Sequence, residues 1–237
     1  MKALIGSLGF FSTIPIGRDV NSFEALRRNL WIMPITGAVV GTIIAIPTFF
    51  LKMLSNKALF LSVLIYLAVE GLNHVDGLSD FGDAIFAPGD RRFQALKDTK
   101  TGVGGTVTVC IYMFTLMYAF MSIESVVVIV NSQIMAKYGM LLLLTTTKPL
   151  WNGLASCMME FANVRDLVLG SVIVVILTGV CSLIYPRVIL INPILLVLAL
   201  AYRSFVIRSF GGVNGDIIGA LNCIVFASGL ILATQKW

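Results

Sequence analysis

Leu167-Val-Leu-Gly-Ser-Val-Ile-Val-Val-Ile-Leu-Thr-Gly-Val-Cys-Ser-Leu-Ile-Tyr185 carries no charged residue over its whole length. About 20 apolar residues at a rise of about 1.5 Å cover the hydrocarbon core of a bilayer. A helix is one of the few structures that satisfies every backbone group there. The stretch therefore reads as a membrane span. Similar runs lie at 34–51, 57–73, 103–122, 125–147, 188–202 and 217–234. The run at 125–147 contains Asn131, Gln133 and Lys137, which leaves its register open. Composition agrees with this reading. The 237 residues are 58% hydrophobic and 12% charged, with mean hydropathy +0.95, whereas soluble domains carry about 25% charged residues. The expected fold is all-α: a polytopic transmembrane helical bundle of about seven spans, with 1–237 forming one integral membrane domain.

Residues 1–30 begin apolar, pass through 17–21 and continue into a short helix with Arg27 and Arg28. They read as an interfacial segment, not a span. They lack the basic start and small-residue cleavage site of a signal peptide. The four cysteines are dispersed and form no CxxC pair, so neither a zinc site nor a disulfide framework is indicated. The net charge of +5 fits basic residues flanking membrane spans and does not call for a nucleic-acid partner. Placing the amino terminus in the cytoplasm puts Lys2, Arg18, Arg27, Arg28, Arg91, Arg92, Lys97, Lys100, Lys148, Arg165, Arg203 and Arg208 on that side. Only Lys52, Lys57, Arg187 and Lys236 then face outward, with Lys137 inside a span. That asymmetry is the positive-inside pattern. The same parity brings the polar segments at 74–105, near 148 and at 203–216 to the cytoplasmic face.

The densest polar segment is Gly71-Leu-Asn-His-Val-Asp-Gly-Leu-Ser-Asp-Phe-Gly-Asp83. Asp76, Asp80 and Asp83 stand at i, i+4 and i+7, on one face of a helix. Carboxylates so placed repel one another unless a cation lies between them. Oxygen ligands favour Mg²⁺, Mn²⁺ or Ca²⁺, and Mg²⁺ usually arrives with substrate phosphates. Acids at the edge of a span are costly, so a solvated acidic face is the weaker explanation. Glu70 and His74, the only histidine, sit one turn apart at the edge of the stripe. His74 is open to three roles, general base, metal ligand or phosphate donor, or to local hydrogen bonding alone.

Two further clusters follow. Lys97-Asp-Thr-Lys-Thr-Gly-Val-Gly-Gly105 leads through a glycine turn into a span. The amides at Gly102 and Gly105 suit an anion at a helix N-terminus, with charge from Lys97 and Lys100; close helix packing is the competing use of the glycines. Around Gly211-Gly-Val-Asn-Gly-Asp-Ile-Ile-Gly-Ala220, Arg203 and Arg208 leave one span and Asp216 enters the next. Guanidinium forks suit phosphate; Asp216 suits a metal or the helix cap. Carboxylates, cations and no cysteine or serine nucleophile together point to metal-assisted phosphoryl transfer.

These motifs resemble those of the cobalamin synthase (adenosylcobinamide-GDP ribazoletransferase) family. His74 to Asp83 is similar to its His-x-Asp-Gly-Leu-x-Asp-x-x-Asp. Lys97 to Gly105 and Gly211 to Ala220 look like its two glycine-rich motifs, and Phe11-Ser-Thr-Ile-Pro15 like its opening. Asn214 and Lys100 stand where threonine and arginine are common. The resemblance implies transfer of adenosylcobinamide phosphate from adenosylcobinamide-GDP to α-ribazole, or its 5′-phosphate, with release of GMP and a requirement for Mg²⁺. It implies catalytic roles for His74, Asp76, Asp80 and Asp83. Asp76, Asp80 and Asp83 would hold Mg²⁺, with Asp98 or Asp216 as further ligands. Lys97, Asp98, Lys100, Gly102, Gly105, Arg203, Arg208, Gly211, Gly212 and Asn214 would line the phosphate site. His74 or Asp80 would be the base. The expected setting is a prokaryotic cell membrane with the site facing the cytoplasm; assembly into a homo-oligomer stays open. A CDP-alcohol phosphotransferase is the alternative enzyme, although its Asp-Gly-x-x-Ala-Arg is absent. A cation transporter is a further alternative, but would place its acids deep within spans.

Overall fold

The computed structural model describes residues 1–89, 91–98 and 100–235; Thr99 and Lys236, used above, lie outside them. Helices α1 (Lys2–Phe11) and α2 (Val20–Arg27) precede α3 (Met33–Leu54). A 3₁₀ segment, Asn56–Leu61, leads into α4 (Ser62–Glu70), followed by α5 (Asn73–Phe86) and the short α6 (Arg92–Ala95). Then come α7 (Val103–Ser122), α8 (Val127–Thr146), α9 (Leu154–Met159), α10 (Val164–Ile184), α11 (Val188–Phe210) and α12 (Gly215–Thr234). Among the described residues there is no strand, only an isolated bridge between Pro149 and Val213. Among the described residues six helices are long and apolar enough to cross a membrane, or seven if the bent α4–α5 pair counts as one span. The protein is a multi-pass, all-α membrane bundle.

Helix α8 is its axis. Its apolar window is 83% buried and that of α12 72%, against 17% for α10, so α10 faces lipid and α8 faces protein. This explains the polar residues that obscure α8 in the sequence. Asn131, Ser132, Gln133 and Lys137 are all fully buried, because other helices enclose α8; Asn131 and Lys137 find side-chain partners on them. Asn131 Nδ2 donates to Asn192 Oδ1 of α11 at 2.8 Å.

The expected span at 57–73 is divided. The Asn56–Leu61 segment and α4 together rise roughly 25 Å at the pitches of 3₁₀ and α-helix, close to the hydrocarbon thickness of about 30 Å. The chain then breaks at Gly71, and α5 leaves at 98° to the arm before it. Gly71 has φ +82 and ψ −176, a region essentially confined to glycine. Gly71→Ala is expected to lower stability by about 1–3 kcal/mol, read as a lower Tm in detergent; an unchanged Tm would show that the break does not need glycine.

Helix α5 crosses the first turns of α7 and α12. A Cβ on Gly77 would lie 2.8 Å from Asp216 Cα, and one on Gly82 would lie 2.4 Å from Thr108 Oγ1. The polar interval expected at 74–101 thus begins as a packed helix whose back, including Val75, Leu78 and Phe81, is buried. Its Asp76 side is exposed. Helix α11 also departs from expectation. It continues past 202 to Phe210, carrying Arg203 and Arg208 on the helix itself.

Helix α1 is too short to span, in line with the interfacial reading. Thr13 ties the segment down: its N–H donates to Val69 O at 2.9 Å and its hydroxyl donates to Ala68 O. These carbonyls belong to the last turn of α4, which lacks partners within its own helix. The Phe11-Ser-Thr opening therefore fastens the N-terminal segment to the α4–α5 break.

Candidate active site

The three sequence clusters meet at one end of the bundle. Asp76 is exposed, and Asp80 and Asp83 are half-buried. Asp83 reaches α7, where its Oδ2 accepts from Gly102 N at 2.7 Å and its Oδ1 from Gly105 N at 2.8 Å. Gly102 is the N-cap of α7 and has no side chain to serve its orphan amides. Asp83 supplies that cap from another helix, and its charge favours the positive helix end. The two amides that the sequence offers to a phosphate are thus held by a carboxylate.

At the start of α12, Asn214 is the N-cap, its Oδ1 accepting from Ile217 N at 3.0 Å. Its Nδ2 donates to Asp216 Oδ2 at 2.6 Å. Asp216 is thereby left out of the cap and turned toward α5, whose Gly77 packs on its backbone. Gly211, with φ +81, ends α11 in the left-handed conformation. Gly212 is buried against Lys148 O, and the backbone of Val213 exchanges hydrogen bonds with Lys148 and Leu150 at 2.9 Å. That bridge brings the segment near 148 to the same end.

The cations divide. Arg203 donates from Nε to Thr146 Oγ1 and from a terminal nitrogen to Thr146 O, both at 2.7 Å. It therefore closes the C-terminal end of α8, with one terminal nitrogen not engaged in these two bonds. Lys97 lies over Phe93 and Trp151 at 4.7 and 5.2 Å. Lys100 and Arg208 are exposed. The carboxylate of Asp98 accepts from Lys100 N at 3.1 Å.

Among the described residues the ion pairs lie elsewhere, and none involves Asp76, Asp80, Asp83, Asp98 or Asp216. This negative charge is not balanced by protein cations in contact. Partial burial, followed by the charges of Asp216, Asp76, Asp83 and Asp98, pushes the Asp80 carboxyl up to about 6. No three His, Cys, Asp or Glu side chains among the described residues stand close enough together to hold one metal ion. A Mg²⁺ site needs fewer protein ligands, since this ion is usually held by one or two carboxylates, substrate phosphates and water. The oxygen-only donor set fits that ion.

Behind the acids lies a network that sequence reading missed. Lys137 of α8 donates to Glu70 Oε1, and to Asn222 Oδ1 at 3.0 Å. Asn222 Nδ2 also donates to Glu70 Oε1, at 2.9 Å. His74 Nδ1 lies 3.1 Å from the same oxygen, without a hydrogen bond. Both Glu70 and Lys137 side chains are fully buried. The available signal was a lysine inside a span, which is expensive without a partner.

Comparison with known proteins agrees with the geometry. No solved structure matches the chain. An adenosylcobinamide-GDP ribazoletransferase of Archaeoglobus fulgidus is 44% identical over 232 residues, 98% of this chain and 96% of the relative. A second from that organism is 40% identical, covering 99% and 97%. One from Pyrococcus abyssi is 36% identical, covering 95% and 94%. The model of the cobalamin-5-phosphate synthase family matches residues 3–234. With its motifs gathered at one end of a membrane bundle and this match spanning nearly all of its length, the chain belongs to the cobalamin-5-phosphate synthase family.

Proposed function

We propose that this protein transfers adenosylcobinamide phosphate from adenosylcobinamide-GDP to α-ribazole or its 5′-phosphate, releasing GMP. The observation that carries the reading is the group of carboxylates without ion-pair partners among the described residues, where α5 crosses α7 and α12. A pyrophosphate cannot approach such a surface without a cation between them. Mg²⁺ would be held by one or two of the carboxylates Asp76, Asp80 and Asp216 together with substrate phosphates and water, with Asp98 nearby. When bound there, Mg²⁺ would neutralise phosphate oxygens and so favour attack at phosphorus.

The remaining work falls to side chains. An acceptor hydroxyl forms the new P–O bond at the cobinamide-side phosphorus, and the bond from that phosphorus to the bridging oxygen breaks. GMP leaves with the electron pair. His74 takes the hydroxyl proton, since burial followed by the Lys137 charge lowers its pKa and keeps the ring neutral. Lys97, Lys100 and Arg208 hold phosphate oxygens. Asp83 holds α5 to α7 and so fixes the spacing of the other acids.

The basic residues favour placing this end in the cytoplasm of a prokaryotic cell. The test is GMP release by purified protein in lipid, given adenosylcobinamide-GDP, α-ribazole and Mg²⁺. Release is expected to require all three. A well-folded protein that releases no GMP with either form of the acceptor would overturn the reading.

A further inference from the structure

A cavity of about 390 Å³ lies between the ends of α1 and α8, the helix α9, and the starts of α5 and α12. Its lining is largely segregated, with Ile218 of α12 joining the apolar side. Helices α5 and α12 supply Asn73, His74, Asp76 and Asp216; helices α1, α8 and α9 supply Phe10, Phe11, Met140, Leu144, Ala155 and Met158. Phe11, Met140, Leu144 and Met158 are each under 5% exposed, so the apolar wall is formed in advance. The Phe11 and His74 rings are near-parallel, 15° apart.

We infer that this cavity is the acceptor subsite: it takes the flat aromatic base of the attacking nucleoside and presents its ribose to His74, Asp76 and Asp216. The inference rests on the proposed transfer reaction and names where its second substrate binds. Three observations select this occupant. The volume is near the lower end of the ~300–1,000 Å³ of small-molecule sites, which suits a two-ring base with a sugar and is too small for a corrin. The Phe, Met and Leu wall suits an aromatic face but gives a guanine edge no hydrogen-bond partners, and leaving buried polar groups unpaired is costly. A lipid chain would meet the apolar wall but would also desolvate Asp76 and Asp216 on the other side. The His74 ring borders the cavity where the ribose would lie, with its Nδ1 turned to Glu70 Oε1 at 3.1 Å.

The test is α-ribazole binding by calorimetry, alongside KM values for both substrates, in lipid nanodiscs. Ala155→Phe fills the cavity from α9. Gly215→Leu fills it from α12, where an added Cβ meets no atom within 4 Å; it serves if the first variant does not fold. Either substitution is expected to raise Kd and KM for α-ribazole by at least about tenfold, as misfit in an apolar pocket does. The KM for adenosylcobinamide-GDP should stay within about twofold of wild type. Binding by wild type that weakens in the variants, without any GMP release, would support the cavity and sink the proposed reaction. An unchanged α-ribazole Kd in a folded variant, no α-ribazole binding by wild type, or a rise confined to the adenosylcobinamide-GDP KM would overturn the assignment.

Discussion

Asp80→Asn is expected to lower kcat/KM by roughly a hundredfold or more, while making the metal-free protein more stable at pH 7. The first effect follows from its place among the unpaired acids: metal stabilisation of phosphoryl transfer amounts to several kcal/mol, and about 1.4 kcal/mol is a factor of ten. The second follows from the sign of the pKa shift. Partial burial and four neighbouring carboxylates raise Asp80 from 3.8 to about 6. A carboxyl raised on folding favours the folded state while protonated, and that contribution is lost as pH rises from about 4 through about 6. At pH 7 the charged Asp80 therefore opposes folding, and asparagine removes the opposition. Below pH 4 the gain should vanish.

Mg²⁺ extends the same argument. Below pH 6 a proton occupies Asp80, so kcat/KM should fall on the acid side, and higher Mg²⁺ should shift that limb to lower pH by competing with the proton. In metal-free protein, Mg²⁺ should raise Tm more at pH 7 than at pH 5. Titrating Tm and kcat/KM against pH at two Mg²⁺ concentrations checks both. An Asp80→Asn protein with normal turnover would remove Asp80 from the site. A Tm response to Mg²⁺ independent of pH would place the ion elsewhere.

The sequence made these acids visible because a span is marked by what it excludes. Charge-free runs disclosed α3, α7, α10 and α12, and the spacing of Asp76, Asp80 and Asp83 disclosed the face of α5. Hydropathy does not report direction, so 57–73 read as a straight span although Gly71 turns the chain by 98°. Motif reading also assigns polar atoms to ligands before asking what the fold needs. The amides of Gly102 and Gly105 and the guanidinium of Arg203 suit phosphate in the sequence, with helix packing as the other use of the glycines; in the fold, helix ends engage them through Asp83 and Thr146. Lys137 and Glu70 are 67 positions apart, a separation at which no local period operates. Only the packing of α8 against α12, with the last residue of α4 beside them, brings them together.

That pairing yields the second large effect. Lys137→Met alone should cost about 3–5 kcal/mol, because it leaves Glu70 charged and buried. Lys137→Met with Glu70→Leu should recover part of the loss, since a buried pair replaced by apolar residues of similar volume is often near neutral, while the buried Asn222 amide loses both partners. Stability alone therefore gives no strong reason to keep the pair. Its geometry gives one: the oxygen that binds Lys137 and Asn222 also faces His74 Nδ1 at 3.1 Å, and so sets which way the proposed base presents its ring to the cavity. The double variant should fold, with Tm between those of Lys137→Met and wild type, and retain its KM for adenosylcobinamide-GDP. Its kcat should fall by about 10²-fold, the lower end of general-base contributions. Glu70→Gln combined with Lys137→Met retains a carbonyl acceptor toward His74 and should restore part of that kcat. A folded Leu/Met variant with wild-type kcat would show that the network only packs the helices, and that His74 needs no orientation from Glu70.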